Sequence, residues 1–232
     1  MQILLRKVLT ALLFIGIAFS SNPLKYAKPK LSDYGFFIGD LANLKPNKNV
    51  VPYKVSAELF SDYAIKSRFV VLPKGEQIIY QSNGEFAYPI GSTLIKSFYY
   101  PADIREPEED IRLMETRLLI NTTEGWIGYP YVWNEAQTEA FLEIAGERLD
   151  VSFINTKGNE ESFNYSVPNF NQCKGCHVNQ NKMKPIGIKA RLLNHEYDYA
   201  DGSMNQLKKW SLLDMIKNLP EISTISHTPN YN

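Results

Sequence analysis

Three side chains within five residues define the chemistry open to this chain: Cys173, Cys176 and His177, in the run NFNQCKGCHVN at 169–179. They include its only two cysteines, and the other histidines, His195 and His227, stand isolated. Cys-x-x-Cys-His is the spacing that attaches a c-type haem. Thiols three positions apart can each bond one of the two vinyl groups on a porphyrin edge. The adjacent imidazole then falls beneath the ring as an iron ligand. The expected cofactor is therefore one covalent haem c, tethered by Cys173 and Cys176, with His177 as the metal ligand.

Other uses of the motif ask for more than the sequence provides. A structural zinc site needs a fourth ligand and usually a second Cys or His pair. A thioredoxin-type redox pair is expected on a βα turn within a βαβ unit, a pattern absent here. A disulfide across so small a loop adds little stability. The sixth iron position stays open among Met183, Met204, His195 and no protein ligand. A methionine there would raise the potential and suit electron transfer, whereas an open position would admit small ligands. Met204 belongs to an apolar stripe, where methionine is commonly core.

The compartment bears on the motif. Arg6 and Lys7 precede an apolar stretch, Val8 to Phe19, and Ala18-Phe19-Ser20 offers a small-x-small cleavage site. This layout reads as a secretory signal peptide over 1–20. Its apolar core falls short of the roughly 20 residues a spanning helix needs, so the alternative of an uncleaved anchor is the weaker one. Export to a bacterial periplasm, with no integral membrane span in the mature chain, is the expectation. The 232 residues carry 25 basic and 25 acidic side chains. Removing Arg6 and Lys7 leaves 23 against 25, a mixture with no basic footprint for nucleic acid.

Several elements must position the motif. Residues 21–56 are rich in Pro, Lys and Asn and read as an extended arm over the body. The stretch SAELFSDYAIKSRF, with Ser56 as a cap, reads as a helical turn anchored by Leu59, Phe60, Tyr63 and Phe69. A body at 57–168 is dominated by short runs of branched and aromatic residues separated by turn clusters, the pattern of antiparallel strands. TRLLINTTEGWIGYPYVW reads as a hairpin closed around Thr122–Gly125, and LDVSFINTKGNEESFNYSV as another. Glu115 and Arg117 fall on one face of a strand, placed for an ion pair. NEAQTEAFLEIAG suggests a short helix stopped by Gly146. The segment 169–220 carries the motif and a helical stripe of Met204, Leu207, Trp210, Leu213, Ile216 and Leu219 ended by Pro220. Residues 221–232 read as a loose tail. The fold class is mainly β (α+β), an antiparallel β-rich body followed by a short helical haem c segment. The acidic run REPEEDIR reads as a solvated loop.

Over most of 32–218 the chain resembles a family of bacterial secreted c-type haem proteins, some of which carry a further cytochrome c module. The resemblance rests on LSDYGFF, PYKVSAELFSDYAIKSRFVVLPKG, YPIGSTLIKSFYYP, METRLLI, GWIGYPYVWNEAQTEA, VPNFNQCKGCH, PIGIKARLLN and NQLKKW. It implies a secreted haem protein with no established reaction, and two cysteines leave room for only one such haem. A weaker similarity is to cytochrome P460, through YPIGSTLIKSF with Lys96 ahead of a near-C-terminal Cys-x-x-Cys-His. That class implies an open distal face acting on small nitrogen compounds and a lysine cross-linked to the porphyrin, a role this similarity does not extend to Lys96. The expected function is electron transfer by a mono-haem cytochrome-like protein with periplasmic redox partner proteins. The alternative is a P460-like haem enzyme, or a small-ligand-binding protein, with an open sixth position.

Overall fold

The computed structural model describes residues 23–179 and 182–229. The expected signal peptide lies outside the described residues. In chain order the strands are β1 (Val50–Pro52), β2 (Ile65–Val71), β3 (Ile78–Tyr80), β4 (Phe86–Ala87), β5 (Thr93–Pro101), β6 (Ile111–Thr122), β7 (Gly125–Trp133), β8 (Ala140–Leu142), β9 (Glu147–Ile154), β10 (Glu160–Val167), β11 (Val178–Asn179), β12 (Lys182–Met183), β13 (Glu196–Tyr199), β14 (Gly202–Asn205) and β15 (Ile216–Lys217). The helices are α1 (Phe170–His177), α2 (Ala190–Leu193) and α3 (Gln206–Leu212). The chain is mainly β, and its strands pair antiparallel apart from β15 alongside β3.

A six-stranded sheet in the order β1-β2-β5-β6-β7-β8 organises everything else. Strand side chains alternate between its faces. Phe69, Ile95, Leu118, Ile127 and Tyr129 point to the back and pack with Leu31, Phe36, Phe37 and Leu44 of the N-terminal arm. The arm is thus seated in the core through its few large apolar residues. On the front, Val70 and Leu94 meet Leu193, Leu207 and Trp210 of the C-terminal segments. Phe98, Met114 and Val132 meet Val151, Phe153 and Tyr165 of the β9–β10 hairpin.

Between these two apolar patches the register sets a polar row. Arg68 pairs with Lys96, Lys96 with Arg117, and Arg117 with Pro130. One rung away run Val70, Leu94, Leu119 and Gly128, and on the other side Lys66, Phe98, Glu115 and Val132. Both expected hairpins form, with Thr122 opposite Gly125 and Glu160 opposite Ile154 at their ends.

Four expectations are corrected. NEAQTEAFLEIAG is a turn leading into β8, because Asn134 Oδ1 accepts from the Thr138 amide at 2.9 Å and Gln137 takes a left-handed φ of 56°. A side chain that satisfies the local backbone in this way competes directly with a helix. Ser56 starts no helix: its amide donates to Leu192 O, and Asp62 and Tyr63 adopt φ of 47° and 63°. The stripe from Met204 to Leu219 is helical only over α3. Asp214 turns left-handed at φ 56°, and Met215 O accepts from the Ile78 amide at 2.8 Å as β15 joins β3. Met204 itself belongs to β14. The tail is docked over 222–228, with Ile225 buried and its carbonyl accepting from Asn194 Nδ2 at 2.7 Å.

Candidate haem-attachment site

The helix bearing the motif begins with a reciprocal cap. Asn169 Oδ1 accepts from the Gln172 amide at 2.9 Å, and Gln172 Oε1 accepts from the Asn169 amide at 2.8 Å. This capping box satisfies two amide donors at the N-terminal end. Its approach is fixed by Gly146, in left-handed conformation at φ 81°, where a Cβ would stand 2.9 Å from Asn169 N and from Val167 O. The Phe170 amide donates to Ile144 O at 3.1 Å, and the Phe170 ring rests on Tyr129 with centroids 5.8 Å apart.

The helix lies against β7 at Gly128. A Cβ on Gly128 would stand 3.2 Å from Cys173 Cβ and 3.1 Å from Met183 Cε. Glycine within a strand marks such a close approach. Cys173 is half-buried there, and positions 173 and 176 share a helix face by their spacing.

The chain turns back directly after the motif. The β11–β12 pair sets Val178 opposite Met183, and the Lys184 amide donates to His177 O at 2.8 Å. In return Lys184 O lies 3.0 Å from His177 Nδ1. A carbonyl at Nδ1 makes that nitrogen the N–H donor and leaves Nε2 as the lone-pair nitrogen. Burial, the largest cause, lowers the His177 pKa, and the cations Lys96 and Arg117 act the same way; the Lys184 carbonyl opposes them. The imidazole is accordingly neutral at neutral pH, the form that coordinates metals.

His177 stands where two cavities meet. One, of about 310 Å³, is walled by the sheet residues Arg68, Lys96, Phe98 and Arg117, and by Leu59, Phe60 and Ile186 at its rim. These last three are more than half, or half, exposed at 68, 70 and 50 %. The other, of about 560 Å³, runs past Tyr88, Trp126 and Lys184. Both share Pro185, Ile186, Gly187 and Ile188. A further cavity of about 580 Å³ beside Trp133 and Arg148 has no motif residue in its walls.

The charged row is held in place on both sides. Arg68 makes two bonds to Glu58, at 2.8 and 3.0 Å. Arg117 makes two to the fully buried Glu115, at 2.8 and 2.6 Å, and Tyr165 donates to the same carboxylate at 2.5 Å. The ion pair expected of Glu115 and Arg117 is present. Burial opposes the Arg117 charge, but Glu115 outweighs it and raises the guanidinium pKa.

Of the three residues open for the sixth position, Met183 is brought beside Cys173 but is turned onto Gly128. His195 is tied elsewhere, Nδ1 near Glu196 O at 2.9 Å and Nε2 near Lys54 O at 3.1 Å. Met204, in β14, pairs with Tyr197 of β13. None of the three is in the walls of the cavities that meet at His177. Sequence reasoning missed Gly128, the capping box and the Arg68–Lys96–Arg117 row. NFNQ and the glycine within GWIGYPYVW were local signals for the first two. The row appears only once strand register is known.

The donor set suits a haem. Positions for two thioethers share a helix face, a neutral imidazole presents Nε2, and apolar walls adjoin cationic ones. Among the described residues no helix is long and apolar enough to cross a membrane. No protein-family model, curated protein or solved structure matches the chain.

Proposed function

We propose that this protein carries one haem c, bound through Cys173 and Cys176 with His177 as the iron ligand, and serves in electron transfer. The observation that carries the reading is the His177 imidazole, oriented by the Lys184 carbonyl and lining two cavities, on the same helix as Cys173. Each thiol would add across a vinyl double bond, sulfur to one carbon and hydrogen to the other. No atoms are lost, and the chain gains the mass of one haem. When bound, haem supplies a one-electron iron centre. The chain's own part is to hold the ring edge at α1, fix the imidazole tautomer and shield one face with the sheet. Leu59, Phe60 and Ile186, exposed at the cavity rim, would be covered by the ring or by a redox partner protein. Maturation belongs to the periplasm, after export directed by 1–20.

A second reading is favoured by the cavity walls. Lys96, Arg68 and Arg117 face the His177 cavity, while Met183 packs on Gly128 and His195 is engaged by Lys54. That arrangement supports an open sixth position, with small-ligand binding or enzymatic turnover there. The test is protein matured with an active haem-ligation system. A mass gain of one haem and loss of thiol reactivity are expected, and an unchanged mass refutes the attachment. On the matured protein, low-spin ferrous bands support electron transfer, whereas a high-spin form binding carbon monoxide rapidly supports the second reading.

A further inference from the structure

The row Arg68–Lys96–Arg117 carries an imbalance of charge. Arg68 shares Glu58 with Lys66, and Arg117 has Glu115. Lys96, between them on β5, forms no ion pair among the described residues. Its Nζ lies 4.7 Å from the Phe98 ring centroid, and the Arg117 guanidinium carbon lies 4.4 Å from the same centroid. A ring face attracts a cation, but it does not neutralise one. Three cations abreast, with the middle one half-buried, repel each other and lose hydration. Burial, then Arg68, Arg117 and Lys66, lower the Lys96 pKa to about 7, with Glu58 opposing them. The arrangement is relieved by one negative charge at the ammonium, and the 310 Å³ cavity that all three line has room for it.

We propose that Lys96, flanked by Arg68 and Arg117, is the binding site for an anionic group, a carboxylate or a small oxyanion, in the cavity beside His177. The planar guanidiniums are held by Glu58 and Glu115, so the cradle is set before the anion enters. Two sources share this chemistry: a propionate carboxylate of the haem itself, which rests on the proposed attachment, and a free anion from solution, which does not.

The experiment uses the full matured chain, Lys96→Met and Lys96→Arg, with the haem content of each measured first by mass. Acetate and nitrate are titrated calorimetrically at constant ionic strength. A free-anion site gives saturable binding that weakens about tenfold or more in Lys96→Met and survives in Lys96→Arg. A propionate site gives no such binding. Instead, the pH at which the reduction potential begins to depend on pH rises by about one unit in Lys96→Met, and not in Lys96→Arg. If Lys96→Met matches the wild type in both measurements, the site is refuted. A chain without haem overturns the attachment and leaves the calorimetric result to decide the anion site.

Discussion

Replacing Gly128 tests whether the motif helix is seated as described. Gly128 sits opposite Leu119, and its role is the space it leaves. A new Cβ would meet Met183 Cε at 3.1 Å and Cys173 Cβ at 3.2 Å. The methionine methyl ends a pliant chain and can swing aside. The cysteine Cβ is fixed to α1 and moves only with the helix. Gly128→Ala sets this crowding against about 0.5–1 kcal/mol gained by removing glycine from a strand, so its net effect should stay within about 1 kcal/mol of zero. Gly128→Val adds two more methyl groups at the same contact and should cost about 1–3 kcal/mol by overpacking. Displacing α1 also carries Cys173 and His177 off the sheet, so under the proposed attachment haem per chain should fall together with stability. Urea unfolding gives the first quantity, and pyridine haemochrome with intact mass gives the second. Adding Met183→Ala to the Gly128→Val protein should recover part of both. A Gly128→Val protein as stable and as fully loaded as the wild type would refute the seating of α1 on β7.

Glu115→Ala removes a fully buried carboxylate and leaves Arg117 and the Tyr165 hydroxyl without it. A loss of about 3–5 kcal/mol is expected in denaturant unfolding, against about 1–2 kcal/mol for Tyr165→Phe. Lys96 gives the haem-free chain a definite pH dependence. Its folded pKa is depressed to about 7 from 10.5, so between those values the unfolded state binds the extra proton and stability rises with pH. The gain across that window is on the order of 5 kcal/mol, and it should vanish in Lys96→Met. Equal slopes for the two proteins, from unfolding at stepped pH, would show that the ammonium is not desolvated.

Sequence legibility followed the range of the interactions involved. The hairpins were legible because turn residues and alternation lie within one short stretch, as at Thr122–Gly125. The helix that carries the motif was legible in part, because the segment after 168 reads as helical and α1 spans Phe170–His177. The helix expected at NEAQTEA failed because Asn134 satisfies the next amides from its own side chain, a local competitor that propensity does not weigh. The stripe beyond α3 failed for the opposite reason. Leu213 and Ile216 keep helical spacing, but Ile216 finds a partner in Ile78 across the fold. The Arg68–Lys96–Arg117 row was beyond reach because it exists only through the pairing of β2, β5 and β6.

These long-range features explain why a five-residue motif comes with a large β body. An eight-residue helix such as α1 is too short to persist alone in water. Its cap supplies a start, but the seat at Gly128 and the Phe170–Tyr129 contact come from the sheet. The same sheet face brings two arginines and a lysine to the cavity that the imidazole lines, and their positive field favours whatever negative charge lies in it. A reduced iron carries one positive charge fewer than an oxidised one, so this field favours the reduced form. Lys96→Met should therefore lower the reduction potential of a haem held by His177, measured in buffer without acetate or nitrate.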